Sequence, residues 1–92
     1  MVNKIILDLQ GLTSEWDLHE YMQKRFSIPE YYGHNASALW DALYLWFDEP
    51  TVIEVWNLDK LPANMKTIGE RVRTVFRRVD QEDPRVQVVF RP

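Results

Sequence analysis

The sequence predicts an α/β fold in which helices pack on a three-stranded parallel sheet. Three observations support this fold class. Apolar, β-branched runs occur at the beginning, middle and end of the chain, segments with helical spacing separate them, and 92 residues are enough for one core but too few for two. Strands that alternate with helices are typical of parallel sheets with right-handed crossovers. We therefore expect a single domain over residues 1–92.

The first strand is predicted over residues 4–9, KIILDL, and Gly11 ends it. A helix follows, with Thr13 or Ser14 as its N-cap. Acids in its first turn and bases in its last turn complement the helix dipole, and it should end before Pro29. Its apolar residues recur at the spacing of a buried stripe, which comprises Leu18, Tyr21, Met22 and Phe26.

The second helix is predicted over about residues 34–47, with Asn35 as its N-cap after Gly33. At 100° per residue its side chains separate into two faces. The face assigned to the core holds Leu39, Ala42, Leu43 and Trp46. The neighbouring face holds Ser37, Trp40, Asp41 and Tyr44. On that second face two rings flank a carboxylate, and we expect both rings to be exposed.

The second strand is predicted over residues 51–56, TVIEVW, because this run is strongly β-prone. A connection with a short helical turn leads to a third helix over residues 65–80, and the last strand covers residues 85–91. The apolar stripe of the third helix comprises Met65, Ile68, Val72, Val75, Phe76 and Val79.

The net charge of −3 conceals an uneven distribution along the chain. Residues 26–59 carry six acids and no lysine or arginine, whereas residues 60–92 carry four acids and eight bases. The acidic block suggests a negative surface that attracts a basic partner, although its carboxylates could equally serve only to solvate an apolar segment. An RNA-binding role would instead use the basic third helix, with Arg71, Arg73, Arg77 and Arg78.

Motifs for catalysis, metal binding and nucleotide binding are missing from the sequence. There is no cysteine, the two histidines are isolated, and the three glycines form no phosphate-binding loop. We therefore expect no enzyme activity and no cofactor, with His19 solvated on the polar side of the first helix. The sequence shows no export signal and no apolar run near the roughly 20 residues of a membrane helix, so we expect a cytoplasmic location.

Residues 29–46 gather three tyrosines and two tryptophans around Asp41. Aromatic side chains beside one unpaired charge are typical of protein interfaces. The string P-E-Y-Y-G-x-N-x-x-A-L-W-D in this region resembles the barstar family of intracellular ribonuclease inhibitors. The resemblance extends more weakly over the whole chain, through Asp17-Leu18-His19, the second strand and Val75-Phe76-Arg77.

This resemblance implies a barstar-like α/β fold and a mechanism. In the family, the second helix and the preceding loop plug a ribonuclease active site, and acidic side chains take the places of RNA phosphates. The implied partner is a ribonuclease or nuclease toxin with a basic cleft, met by a monomeric antitoxin or immunity protein, with no nucleic acid or membrane as partner. Asp41 would be the main phosphate mimic. The implied partner-binding residues are Tyr31, Gly33, Asn35, Ser37, Trp40, Asp41, Tyr44, Leu45, Trp46, Arg78 and Glu82.

The sequence also departs from the family pattern. Ser37 and Arg78 stand where acids are expected, and Tyr44 and Leu45 replace smaller residues. The binding face is therefore less negative and bulkier, which favours either a nuclease with a different rim or a scaffold that binds a non-nuclease partner. The family also has a cis bond before the proline at position 50, but Glu49 in place of an aromatic residue weakens that preference.

Overall fold

A computed structural model describes residues 2–30 and 32–92, so the predicted contact residue Tyr31 lies outside the described residues. The order of elements is the predicted one. They are β1 (Asn3–Asp8), α1 (Glu15–Phe26), α2 (Ala36–Leu43), β2 (Thr51–Trp56), α3 (Lys66–Glu82) and β3 (Val86–Arg91). The connection before α3 contains two short 3₁₀ turns, Leu58–Lys60 and Ala63–Met65.

The three strands form one parallel sheet in the order β1-β2-β3, which confirms the predicted fold class. Their register aligns Asn3 with Thr51 and Thr51 with Val86. One face of the sheet packs with side chains of all three helices in a continuous hydrophobic core. The other face is open, and there Lys4 Nζ lies 2.8 Å from Glu54 Oε2.

The first helix forms as its sequence predicts. The Ser14 hydroxyl accepts a hydrogen bond from the Asp17 backbone N–H at 3.0 Å, and Ser27 ends the helix in the left-handed conformation. Leu18 and Met22 are completely buried, as expected. The hydroxyl of the partly buried Tyr21 accepts a hydrogen bond from the Asp8 backbone N–H, which ties α1 to β1.

The prediction that His19 is solvated is wrong. His19 has 0 % exposure, and its Nδ1 is hydrogen-bonded to the Tyr32 hydroxyl. Burial, with a smaller effect of nearby His34, lowers the pKa of His19 to about 4. The helical period places His19 beside the apolar stripe of α1, but only the return of the loop after α1 covers it.

The second helix begins as predicted and ends earlier. The Asn35 side chain accepts a hydrogen bond from the Ala38 backbone N–H at 2.8 Å, which confirms the N-cap. The helix stops at Leu43, because Tyr44 is extended and Leu45 adopts a left-handed φ of 53°. The turn removes Trp46 from the core face, where it was predicted, and leaves it 43 % exposed.

The third helix has the predicted apolar stripe, with Val72 and Phe76 completely buried. The helix extends to Glu82, and at its C-terminus the Asp83 backbone N–H donates a hydrogen bond to the Val79 carbonyl. All peptide bonds of the described residues are trans, including the bond before Pro50. None of the helices in residues 2–30 and 32–92 is long and apolar enough to span a bilayer.

Candidate protein-binding interface

The loop between α1 and α2 runs close to the first turn of α2. A Cβ atom on Gly33 would lie 3.1 Å from the Cβ of Ala38, closer than ordinary side-chain contacts. The Asn35 side chain completes the turn, since its amide group donates to the Gly33 carbonyl at 3.2 Å. A side chain at position 33 would therefore require the loop or Ala38 to shift by a few tenths of an ångström.

Three rings hold this loop against α1. Tyr32 is 6 % exposed, and the ring of His34 stacks on Trp16 with centroids 3.9 Å apart and planes 4° apart. The His34 Nδ1–H donates to the Tyr32 carbonyl at 2.8 Å. Burial raises the pKa of Tyr32, with Glu15 adding to the effect, so the hydroxyl that meets His19 stays protonated. The loop is thus held by α1 before any partner arrives.

Asp41 lies on the exposed side of α2, as predicted. Among the residues that the structure describes, its carboxylate forms no hydrogen bond and no ion pair. It also stands between two depressions of the surface, and it lines both of them. An exposed carboxylate at the boundary of two concave regions is accessible to a cation carried by another molecule.

The first depression, called here the aromatic groove, has a volume of about 430 Å³ and separates the loop from the C-terminal half of α2. Its far wall is exposed and apolar, because Tyr44, Leu45 and Trp46 are 54 %, 55 % and 43 % exposed. Three consecutive exposed apolar residues form a continuous patch, which is uncommon on a surface that contacts only water.

The second depression, called here the arginine depression, has a volume of about 420 Å³ and separates α2 from α3. Asp41 and Ser37 line its α2 side, and Arg71 and Arg78 line its α3 side. The Arg78 guanidinium carbon lies 4.0 Å from the centroid of the Trp40 ring, a cation–π distance. Both signs of charge therefore occur within one concave region.

Trp40 lines the arginine depression and packs beside Tyr44, which lines the aromatic groove. The Trp40 ring is half-buried against the core, which corrects the prediction that it is exposed, and it lies 5.4 Å from the Tyr44 ring. On its other side, Arg78 Nε is 3.2 Å from Glu82 Oε2. Glu82, Arg78, Trp40 and Tyr44 thus form a continuous row across the interface of α2 and α3.

The structure brings the described members of the predicted set together on one surface built from the loop, α2, the turn after α2 and part of α3. This set, called here the binding face, comprises Gly33, Asn35, Ser37, Trp40, Asp41, Tyr44, Leu45, Trp46, Arg78 and Glu82. Sequence reasoning missed two neighbours. Arg71 was considered only for RNA binding, and the stacking of Trp16 on His34 depends on a contact between elements that leaves no local pattern.

Comparison with known proteins agrees with this geometry. The family described as barstar (barnase inhibitor) matches residues 2–91. A protein of Bacillus subtilis (strain 168), YrdF, described as a candidate ribonuclease inhibitor, is 28 % identical over 81 residues, which cover 88 % of this chain and 89 % of that protein. Both findings support a barnase-inhibitor-like role. Because the family match covers nearly all of the chain, the chain belongs to the barstar family.

Proposed function

We propose that this chain inhibits a ribonuclease or a related nuclease toxin by covering its active site with the binding face. Family membership supports the general role. The exposed Asp41 carboxylate between the two depressions is the observation that carries the mechanism. A nuclease must hold the phosphates of its substrate with cationic side chains, and a carboxylate presented on a rigid helix offers those side chains an alternative anion.

The free protein gives up little when Asp41 binds such a pocket. No described residue forms an ion pair with this carboxylate, so no intramolecular contact is broken. Truncating one partner of a buried charge pair costs about 2–5 kcal/mol, much of it because the other charge stays buried and unpaired. The barnase–barstar pair is itself among the complexes behind that range.

The rings supply contact area around the charge. Trp40 is held between Tyr44 and Arg78, so its ring loses little rotamer freedom on binding, and Tyr44 and Trp46 offer large exposed rings. The loop is already anchored on α1 through Tyr32 and His34. Such a preordered surface binds with a smaller entropic cost than a mobile one.

The test compares Asp41→Ala with Asp17→Ala, which removes the same charge from an exposed position of α1 that lines neither depression. Barnase, the enzyme in the family's description, is the first probe, followed by small ribonucleases of the source organism. We expect Asp41→Ala to weaken inhibition of the bound enzyme by about 2–5 kcal/mol and Asp17→Ala to change it by less than about 0.5 kcal/mol. Inhibition constants and the salt dependence of association provide the measurement.

Equal inhibition by wild type and Asp41→Ala would contradict the phosphate mimicry. A chain that inhibits none of these enzymes and is recovered only with non-nuclease proteins would instead favour the second reading, a scaffold reused for another partner. The replacement of expected acids by Ser37 and Arg78 is the feature that favours this second candidate.

RNA binding through α3 has less support. Arg73 is engaged by Asp59 and Glu70, and Arg78 by Glu82 and the Trp40 ring. A flat titration of the protein with single-stranded RNA at low salt would remove this alternative, since phosphate binding by arginines is strongly salt-dependent.

A further inference from the structure

The arginine depression has a charge pattern that the proposed phosphate mimicry does not use. Asp41 on α2 and the guanidinium groups of Arg71 and Arg78 on α3 line the same concave region. A surface that served only to imitate RNA phosphates would present anions there, and cations beside the mimic would weaken its attraction for a basic cleft.

Arg78 is held in place for contact with another molecule. Its guanidinium lies 4.0 Å from the Trp40 ring centroid and its Nε 3.2 Å from Glu82 Oε2, and 49 % of the side chain remains exposed. The planar group keeps further N–H donors beyond the one near Glu82, because a guanidinium has five. Stacking on a half-buried ring reduces the entropy that an arginine loses when it forms a new ion pair.

Arg71 has fewer intramolecular contacts than Arg78 among the described residues. It lies on the exposed side of α3 and has no ion-pair partner within residues 2–30 and 32–92. The nearest acid in the sequence, Glu70, is engaged with Arg73 at 3.7 Å. Of the positive charges around this depression, the one on Arg71 is therefore not neutralised by the described part of the chain.

We propose that Arg71 and Arg78 determine the specificity of the binding face by pairing with a carboxylate on the rim of the partner's active site. This inference rests on the proposed function and names the partner more closely. The partner is a nuclease whose cationic pocket, met by Asp41, is bordered by an aspartate or glutamate side chain. A surface on which Asp41 lies near two arginines favours a partner whose rim carries the opposite charges at matching positions. It disfavours a partner whose rim is positive throughout.

A protein carboxylate fits the depression better than an RNA phosphate. Asp41 lines the same region, and a polyanionic strand would bring further phosphates towards it and towards the acidic block of residues 26–59. A protein rim can place one acid beside the arginines and a cation beside Asp41, which satisfies all three charges.

The experiment is a double-mutant cycle with barnase as the probe. One axis compares wild type with Arg71→Glu/Arg78→Glu, and the other compares barnase with variants in which a single rim lysine or arginine is changed to glutamate. We expect the doubly reversed inhibitor to bind unmodified barnase at least tenfold more tightly than wild type does. For at least one rim variant we expect the opposite order, with wild type binding it at least tenfold more tightly than the doubly reversed inhibitor does.

Two control variants separate contact from side effects. Arg77→Glu reverses one charge, half the change of the double variant, on an exposed part of α3 outside the depression, and should alter binding less than threefold. Arg71→Gln/Arg78→Gln removes both charges without placing a glutamate next to Glu82, and should tighten binding to barnase in the same direction, by a smaller factor. Circular dichroism and thermal unfolding confirm that each variant is folded.

Several results would overturn the inference. These are an equal gain from Arg77→Glu, weaker or unmeasurable barnase binding by the reversed protein, and no coupling with any rim variant. Binding of a ten-nucleotide RNA by wild type that is lost in Arg71→Gln/Arg78→Gln would assign the arginines to RNA and overturn it as well. If Asp41→Ala still weakens inhibition, the proposed function stands and only this inference fails; if Asp41→Ala has no effect, the proposed function itself fails.

Discussion

The helices α1 and α2 follow one another in the chain and begin in the same way, but they end differently. Ser14 caps α1 and Asn35 caps α2, each through a side-chain oxygen. In α1 the first turn is acidic, the last turn is basic, and a serine in the left-handed conformation completes the end. In α2 neither end turn carries a complementary charge, and the chain turns at Leu45 into an exposed apolar segment.

The difference separates a helix whose features all favour folding from one whose exposed side fits the contact role that we propose. In α1 the local signals and the burial of its stripe agree, and such agreement stabilises one structure. In α2 the buried side, with Leu39 and Leu43, packs in the core, whereas the other side carries the exposed Asp41 carboxylate, which has no ion-pair partner among the described residues. Departures from local rules and exposed apolar patches of this kind are typical of functional surfaces, which supports the proposed contact role.

The largest expected effect tests how much the buried stripe of α1 contributes to stability. Leu18→Ala in α1 removes a completely buried side chain and should lower the free energy of unfolding by about 2–5 kcal/mol. Tyr44→Ala, at the exposed end of α2, should lower it by less than about 1 kcal/mol. Urea denaturation measures both values, and a Tyr44→Ala variant as unstable as Leu18→Ala would contradict the division.

The next effect concerns acid stability. His19 has a folded-state pKa of about 4 against an ordinary value of 6.5, so the unfolded chain binds the proton more readily. The stability due to neutral His19 is therefore complete above pH 6.5 and is lost as the pH falls towards 4, by about 3 kcal/mol in total.

The pH dependence of the unfolding free energy in wild type and His19→Gln tests this, and His34→Gln should reduce the slope only slightly, because burial is the larger cause of the His19 shift. A slope between pH 6.5 and 4 that persists in His19→Gln would assign the effect to another group. The lowered pKa values of Asp8 and Glu54 act at the acid end, because the unfolded carboxylates take up protons near their ordinary values of 3.8 and 4.5, so the slope between pH 6.5 and about 5.5 is the part that reports on His19.

A smaller effect tests the proposed contact role of the exposed segment after α2. Trp46→Ala should leave the unfolding free energy within about 1 kcal/mol of wild type, because Trp46 is 43 % exposed, and should weaken nuclease binding by about 2 kcal/mol. Calorimetric titration with the inhibited enzyme measures the loss. Unchanged affinity would place Trp46 outside the contact and restrict the binding face to the Asp41 side of the groove.

The smallest effect lies at the turn itself. Leu45 has a φ of 53°, a conformation that costs a residue with a Cβ about 1–2 kcal/mol. Leu45→Gly should therefore raise the free energy of unfolding by up to about 1 kcal/mol, after the loss of chain entropy is subtracted. Leu45→Ala keeps the Cβ and should give no such gain; equal effects of the two variants would show that side-chain contacts, not backbone strain, decide the result.

The fold could be predicted because its signals are local. The β-branched runs of the three strands, the Ser14 and Asn35 caps and the stripe of α3 each follow from short-range patterns, and the parallel topology follows from their order. The exposure of Asp41 could also be predicted, since it follows from the helical period.

The remainder depends on contacts between distant residues. The burial of His19 requires the loop that brings Tyr32 over α1, and the half-burial of Trp40 requires Arg78 and the packing of α2 on α3. The early end of α2 also has no signal in the sequence, because leucine rarely adopts the left-handed conformation that Leu45 shows. The turn brings Phe47 back to the core, where its ring packs against that of Phe26 with centroids 6.0 Å apart. This packing offsets part of the cost of the turn.

The parallel arrangement of the strands has a practical consequence for measuring interactions. At the start of β1, the Asn3 backbone N–H donates to the Pro50 carbonyl and its side chain to Glu49, so this end of the chain lies beside the segment that follows Trp46. Arg91 lies at the other end of the sheet, where the parallel strands end, roughly 17 Å away along the strand direction. We therefore expect a fluorophore or sensor-chip anchor attached after residue 91 to interfere less with the proposed binding face than the same group attached before residue 3.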